Sequence, residues 1–208
     1  MAVSLTRGAL LRRGLLLEYL TVGWNIVEGL IAVAAGLMSG SIALVAFGID
    51  SFVETISGLV LIWRLRTEER GQLDEVALER VERRAEVLVG VAFLILAAYV
   101  AFESVRTLLA AEAPEASPIG IILTAVSIGV MLWLARAKRE TGEALGSRAL
   151  SADSKQTRAC WYLSAVALAG LALNAVLGWW WADPIAALAI AVLLVREGRE
   201  ALSGEDED

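Results

Sequence analysis

Long apolar runs alternate with short polar segments along the 208-residue chain. Because about 20 apolar residues form a helix that crosses a ~30 Å hydrocarbon core, each long run predicts a membrane span. The last run, 184–195, is the shortest. The pattern predicts one all-α domain, 1–208, a polytopic membrane protein with six transmembrane helices. The predicted spans are 15–38, 41–65, 87–109, 118–135, 149–178 and 184–199.

The polar segments predict how the spans are joined. Ser39 and Gly40 form a tight turn between the first two spans, and the charged stretch 66–86 extends the helices on either side of it. Asp183 is expected to be the N-cap of the sixth helix, because Pro184 suits the first helical position. The acidic end, 200–208, is expected to be a cytoplasmic tail.

The positions of Lys and Arg predict the orientation of the chain. Three precede the first span, six lie at the end of span two or between spans two and three, six lie between spans four and five or at the start of span five, and two follow the sixth run. If six spans alternate in direction, 17 of the 18 lie on one side. The exception, Arg106, can pair with Glu103 inside span three. By the positive-inside rule both termini are expected to be cytoplasmic, which for a bacterial cell means the inner membrane.

The composition agrees with a membrane protein and excludes some kinds of metal ligand and cross-link. The chain is 58% hydrophobic with a mean hydropathy of +0.66, well above the usual globular share. It has one cysteine and no histidine, which excludes a disulfide framework and the commonest metal ligand. Six spans leave no length for a soluble domain of ordinary size.

Two carboxylates, Asp50 and Glu54, interrupt the second apolar run near its middle. A charge within the membrane costs a few kcal/mol or more, so it is rarely present without a partner or a function. A spacing of four residues puts both side chains on one helix face, where they can share a proton or bind a cation. We therefore expect them to face an ion pathway.

The fifth predicted helix offers further ligands. Asp153, Gln156 and Cys160 lie on one helical stripe. If this helix packs antiparallel to the second, Cys160 faces Asp50 and Gln156 faces Glu54. Two carboxylate oxygens, an amide oxygen and a thiolate give the four ligands that a tetrahedral divalent ion prefers.

Structural alternatives exist for several of these residues. Taken alone, Cys160 can be a small buried apolar residue and Gln156 an interhelical hydrogen-bonding residue. Asp153 is an additional candidate ligand, or a charge at the start of a helix beside Lys155. Two polar residues of the first span, Asn25 and Glu28, are candidates for a supporting role at the metal or for interhelical hydrogen bonds.

Three motifs resemble the cation diffusion facilitator family. Ser41-Ile-Ala-Leu followed by Asp50-x-x-x-Glu54 is similar to the Ser-x-Ala-Leu and Asp-x-x-x-Asp of that family's second helix. Ala152-Asp153-x-x-Gln156-x-x-x-Cys160 is similar to Ala-Asp-x-x-His-x-x-x-Asp in its fifth helix. Trp181-Ala-Asp183-Pro184 matches the usual opening of its sixth helix. The resemblance covers all six spans in order.

The resemblance implies a homodimeric exporter of divalent metal, usually zinc, that exchanges metal for protons by alternating access. It implies a transport site at Asp50, Glu54, Gln156 and Cys160. Glu54 replaces the family's Asp, while Gln156 and Cys160 replace its His and Asp. The chain also ends just after the sixth span, so we expect a minimal, transmembrane-only member without the cytoplasmic domain.

A thiolate favours zinc or cadmium over magnesium or calcium, and iron and manganese remain possible. Metal, protons, lipid and a second copy of the chain are the expected partners, and nucleic acid is not. One alternative is a non-transporting membrane protein that senses metal or regulates a partner. Another is a transporter of an organic or monovalent cation. An enzyme is not expected, because nothing resembles an activated nucleophile with its base.

Overall fold

Six long helices make up the described part of the chain. A computed structural model describes residues 6–70 and 75–203, and no strand occurs in those ranges. The helices are α1 (Arg7–Ser39), α2 (Ile42–Glu69), α3 (Glu75–Ala110), α4 (Pro118–Leu145), α5 (Arg148–Leu177) and α6 (Ala182–Ser203). The predicted all-α bundle of six helices is confirmed.

Serines and glycines fix where the helices begin and end. Ser41, Ser117 and Ser147 each precede a helix and accept a hydrogen bond from the backbone N–H three residues ahead, the usual N-cap arrangement. Gly40 follows α1 with φ near +70°, a left-handed conformation that glycine adopts without strain. The tight turn predicted at Ser39 and Gly40 is therefore present.

Five of the six described helices, all except α6, are long and apolar enough to cross a membrane. α6 has 22 residues, but charged residues begin at Arg196, so its apolar part is shorter than a full span. Several helices continue well past their predicted spans, such as α2, which runs to Glu69, and α4, which runs to Leu145. α5, in contrast, closely matches its prediction.

The acidic tail was predicted over 200–208, but α6 continues to Ser203, so residues 200–203 are helical and that part of the prediction is wrong. The rest of the predicted tail, 204–208, lies outside the described residues.

The helices pack chiefly as three neighbouring pairs, α1 with α2, α3 with α6 and α4 with α5. The first pair approaches closely at Gly48, where an added Cβ would lie 2.8 Å from the backbone nitrogen of Val33. Small residues at helix interfaces permit this kind of contact in membranes. The close α1–α2 pair places polar residues of α1 beside the carboxylates of α2.

Asp183 corrects the prediction for the start of the sixth helix. The helix begins at Ala182, two residues before the predicted first helical residue Pro184. The carboxylate of Asp183 accepts hydrogen bonds from Ser41 Oγ and, at 2.9 Å, from the backbone nitrogen of Ile42. It therefore caps α2. A carboxylate is favourable at the N-terminus of a helix, and the first turns of α2 and α6 lie side by side. The Glu103–Arg106 pair is present at 2.7 Å, as predicted.

Candidate metal centre

Helices α2 and α5 bring three potential metal ligands together. One carboxylate oxygen each of Asp50 and Glu54 and the Sγ of Cys160 lie within 4.8 Å of one another. All three side chains are buried. The Cys160 thiol donates a hydrogen bond to Asp50 Oδ2 at 3.3 Å. The predicted contact between Cys160 and Asp50 is present.

Apolar side chains enclose the three ligands. Phe47 and Val53 of α2 belong to the main hydrophobic core, and Cys160 packs in a second cluster with Met131 and Leu134 of α4. Such surroundings exclude water and strengthen electrostatic interactions with a bound ion. In a tetrahedral zinc site the ligand atoms are about 3.3–3.8 Å apart, as follows from metal–ligand bonds of about 2.0–2.3 Å. Small side-chain movements would bring the three atoms to that separation.

The amide side chain of Asn25 on α1 contacts one of the carboxylates. Its Nδ2 donates to Glu54 Oε2 at 3.0 Å, and the side chain is fully buried. Its Oδ1 has no hydrogen-bond partner in the described part of the chain. Gln156 is half-buried, and no hydrogen bond of its side chain joins it to Glu54 among the described residues. Whether Gln156 binds the ion stays a prediction.

Glu28 of α1 is held by hydrogen bonds next to the helix turn that carries Asp50. Its carboxylate accepts hydrogen bonds from Trp24 Nε1 and from Ser51 Oγ, both at 3.1 Å, and it is fully buried. Ser51 follows Asp50 directly on α2. Glu28 is thus held beside the candidate metal ligands, although the three-ligand group does not include it.

Asp153 lies in a separate ionic cluster. Its carboxylate pairs with Lys138 of α4, which also pairs with Glu18 of α1 at 3.1 Å. Sequence reasoning treated Lys138 only as one of the cytoplasmic positive charges, yet the structure buries it completely. The helical spacing of Leu134, Lys138, Thr141 and Leu145 on one buried stripe was the available signal.

Comparison with known proteins identifies the wider group. Residues 19–203 match the family described as the cation efflux transmembrane domain. Magnetosome protein MamB of Magnetospira sp. strain QH-2 is 25% identical over 185 residues, which cover 88% of this chain and 61% of that protein. The cation-efflux pump FieF of Shewanella oneidensis is 28% identical over 169 residues, 77% of this chain and 55% of the pump.

A third relative, the cadmium, cobalt and zinc/H(+)-K(+) antiporter of Bacillus velezensis, is 22% identical over 191 residues, 90% of this chain and 59% of the antiporter. The chain therefore spans about 55–61% of the length of these curated relatives. The match runs through all six helices, including the three that carry the carboxylates, the thiol and the buried lysine.

Proposed function

The chain belongs to the cation efflux family, and we propose that it exports a divalent transition-metal ion in exchange for protons. The observation that carries the proposal is the buried trio Asp50, Glu54 and Cys160 on two neighbouring helices. Carboxylates are rare inside a membrane unless they serve an ion or proton path. Five apolar helices long enough to span a bilayer support a multi-pass membrane protein.

The donor atoms favour zinc as the transported ion. Oxygen and thiolate ligands together suit zinc and cadmium, whereas magnesium and calcium prefer oxygen alone. A relative named for cadmium, cobalt and zinc supports this choice. Iron and manganese are the weaker candidates, because they would gain less from the sulfur of Cys160.

Asn25 is the fourth ligand that the geometry favours, with Gln156 as its rival. The Asn25 side chain already contacts Glu54, and its carbonyl oxygen is buried without a partner among the described residues. An uncompensated buried oxygen is unfavourable, and an ion bound at the trio would satisfy it. Gln156, half-buried on α5, would need to turn toward Glu54 to do the same.

Proton exchange follows from the requirement that metal ligands be deprotonated. Asp50, Glu54 and Glu28 lie buried close together, so they must hold protons when no cation balances their charge. Binding of a divalent ion displaces protons from the carboxylates and from the Cys160 thiol. Their return from the other side of the membrane releases the ion. Alternating access of the centre to the two sides completes the cycle.

Equilibrium metal binding by the purified full chain in detergent tests the centre. We expect the wild-type chain to bind one zinc ion at the trio and to release protons as it does so. Asp50→Asn should remove this binding while the protein remains helical and monodisperse. Glu103→Gln, which changes a carboxylate paired with Arg106 away from the centre, should bind zinc as the wild type does. Equal binding by Asp50→Asn and the wild type would overturn the assignment.

A further inference from the structure

Lys138 is surrounded by oxygen atoms in the way that a bound cation would be. Its Nζ donates to Glu18 Oε2 at 3.1 Å, to Thr157 Oγ1 at 3.3 Å and to Asp153 Oδ2. These contacts use all three protons of the ammonium group. The acceptors come from α1 and α5, while Lys138 itself extends from α4. Three helices thus converge on one positive charge.

If both carboxylates are ionised, Lys138 alone does not balance the charges of this cluster, so one of the two carboxyl groups must hold a proton when no metal ion is bound. Two carboxylates share one ammonium group, and Glu18 Oε1 is buried without a hydrogen-bond partner in the described part of the chain. A structural ion pair needs only one carboxylate, and burying a second one unpaired is costly. A divalent ion in place of the ammonium would balance both carboxylates and offer Glu18 Oε1 a partner.

The cluster lies between the metal centre and the protein surface. Glu18 precedes Asn25 by seven residues on α1, and Asp153 precedes Cys160 by seven on α5, which is about 10 Å along each helix. A Cβ added at Gly58, one turn past Glu54, would lie 3.8 Å from Glu18 Oε2. The side chain of Asp153 is 13% exposed, whereas those of Glu18 and Lys138 are 0% exposed.

We propose that Glu18, Asp153 and Thr157 form a second site for a divalent cation, which Lys138 occupies whenever no metal ion does. The proposal rests on the proposed function, because the site would receive ions on their way between the surface and the trio. An ion would meet Asp153 first and displace the ammonium, whose flexible four-carbon stem permits it to move. When the ion leaves, Lys138 and one proton return and together balance the two carboxylates. Because the ammonium group of Lys138 competes for the same oxygen atoms, a metal ion stays bound at this site only briefly.

Replacing Lys138, whose ammonium group fills the proposed second site, tests that site directly. In an Asp50→Asn/Cys160→Ala background, which disables the trio, we expect no bound zinc while Lys138 is present. Adding Lys138→Met should create one zinc site per chain, measured by elemental analysis of the purified protein after gel filtration. Adding Asp153→Asn as well should remove it again. A folded Lys138→Met variant that binds no zinc would overturn the proposal. Because the background lacks the trio, this outcome does not depend on whether the trio itself binds zinc.

A second measurement covers the case in which Lys138→Met does not fold. Asp153→Asn leaves Lys138 paired one-to-one with Glu18, so the fold should persist. We expect zinc flux through reconstituted vesicles to fall at least tenfold, while zinc affinity of the trio changes less than twofold. Unchanged flux per folded molecule would mean that the cluster is only structural and would overturn the proposal. Failure of the proposed function is distinct, because the wild type itself would then move no zinc.

Discussion

At the scale of single residues, the proposed metal centre combines hard oxygen ligands with one soft sulfur ligand. Asp50 and Glu54 offer charged oxygens from one face of α2, and Cys160 offers sulfur from α5. The oxygens can hold many divalent ions, while the sulfur discriminates among them. Selectivity is therefore expected to depend on Cys160, and the capacity to bind on the two carboxylates.

Replacement of the thiol tests this division. Cys160→Ser keeps the size of the side chain but exchanges sulfur for oxygen, so cadmium affinity should fall by about 10-fold or more relative to manganese affinity. Competition between the two ions for the purified protein measures the ratio. Ser164→Ala, one turn further along α5, serves as the matched control and should leave the ratio unchanged. An unaltered ratio in Cys160→Ser would place the thiol outside the ion's coordination.

The fourth ligand can be assigned by comparing two amides. Asn25→Ala removes a buried carbonyl oxygen beside Glu54 and should weaken zinc binding by about 10-fold to 100-fold. Gln156→Ala is the control on α5 and should have a smaller effect. Zinc titration of both variants against a competing chelator decides between them. The reverse order would make Gln156 the ligand and Asn25 a support for Glu54.

The sequence predicted which side chains share a face of one helix better than it predicted which side chains of different helices contact each other. The i, i+4 spacing of Asp50 and Glu54 fixes their common face without any knowledge of packing. The pairing of Cys160 with Asp50 followed once α2 and α5 were assumed to be antiparallel neighbours. The partners of Lys138 did not follow, because the rotation of α1, α4 and α5 about their axes is set by packing throughout the bundle.

At the scale of elements, the α1–α2 pair positions the centre. Gly48→Ala would place a methyl group 2.8 Å from the backbone of Val33, which cannot move aside without shifting α1. We expect a loss of about 1–3 kcal/mol in the free energy of unfolding in detergent. Gly129→Ala on α4, where an added Cβ meets nothing within 4 Å, should leave stability unchanged or raise it slightly. Equal stability of the two variants would contradict the close approach of α1 and α2.

The cap that α6 provides to α2 is a second element-scale feature. Asp183→Ala removes the acceptor of the Ile42 N–H and the Ser41 hydroxyl, so we expect a loss of about 1–2 kcal/mol. Chemical unfolding in detergent followed by circular dichroism measures it. Glu103→Gln, which breaks a pair with the exposed Arg106, should change stability by less than about 1 kcal/mol. If Asp183→Ala is no less stable than Glu103→Gln, the cap is energetically unimportant.

Sequence reasoning placed Asp183 at the start of α6 but assigned its hydrogen bonds to that helix. The local pattern Asp-Pro predicts an N-cap for its own helix, because proline suits the position that follows. The structure instead directs the carboxylate to α2, since the beginnings of both helices meet at one end of the bundle. A sequence pattern that is local cannot distinguish between two adjacent helix ends.

At the scale of the whole molecule, positive charge is concentrated on one side. If the six helices alternate in direction through the membrane, 17 of the 18 Lys and Arg residues share one face, which predicts cytoplasmic termini. A reporter fused to the C-terminus, active on only one side of the membrane, measures this orientation. Activity of a periplasmic reporter would contradict it.

The homodimer implied by the family resemblance stays a prediction at this scale. Many large apolar side chains face outward, such as Leu30, Ile95 and Val192, and lipid or a second copy can cover them. Native mass spectrometry of the detergent-released full chain should give the mass of two chains. A uniform single-chain mass under conditions that preserve zinc binding would contradict the dimer.

Zinc flux through vesicles that contain the purified chain, recorded together with internal pH, tests the central claim most directly. We predict zinc movement driven by a pH gradient, with protons moving in the opposite direction, in wild-type vesicles and in Glu103→Gln vesicles. Asp50→Asn vesicles should have neither movement, although the protein is inserted equally well. Zinc flux of equal rate in Asp50→Asn and wild-type vesicles, or wild-type flux that ignores the pH gradient, would contradict a proton-coupled transport site at Asp50, Glu54 and Cys160.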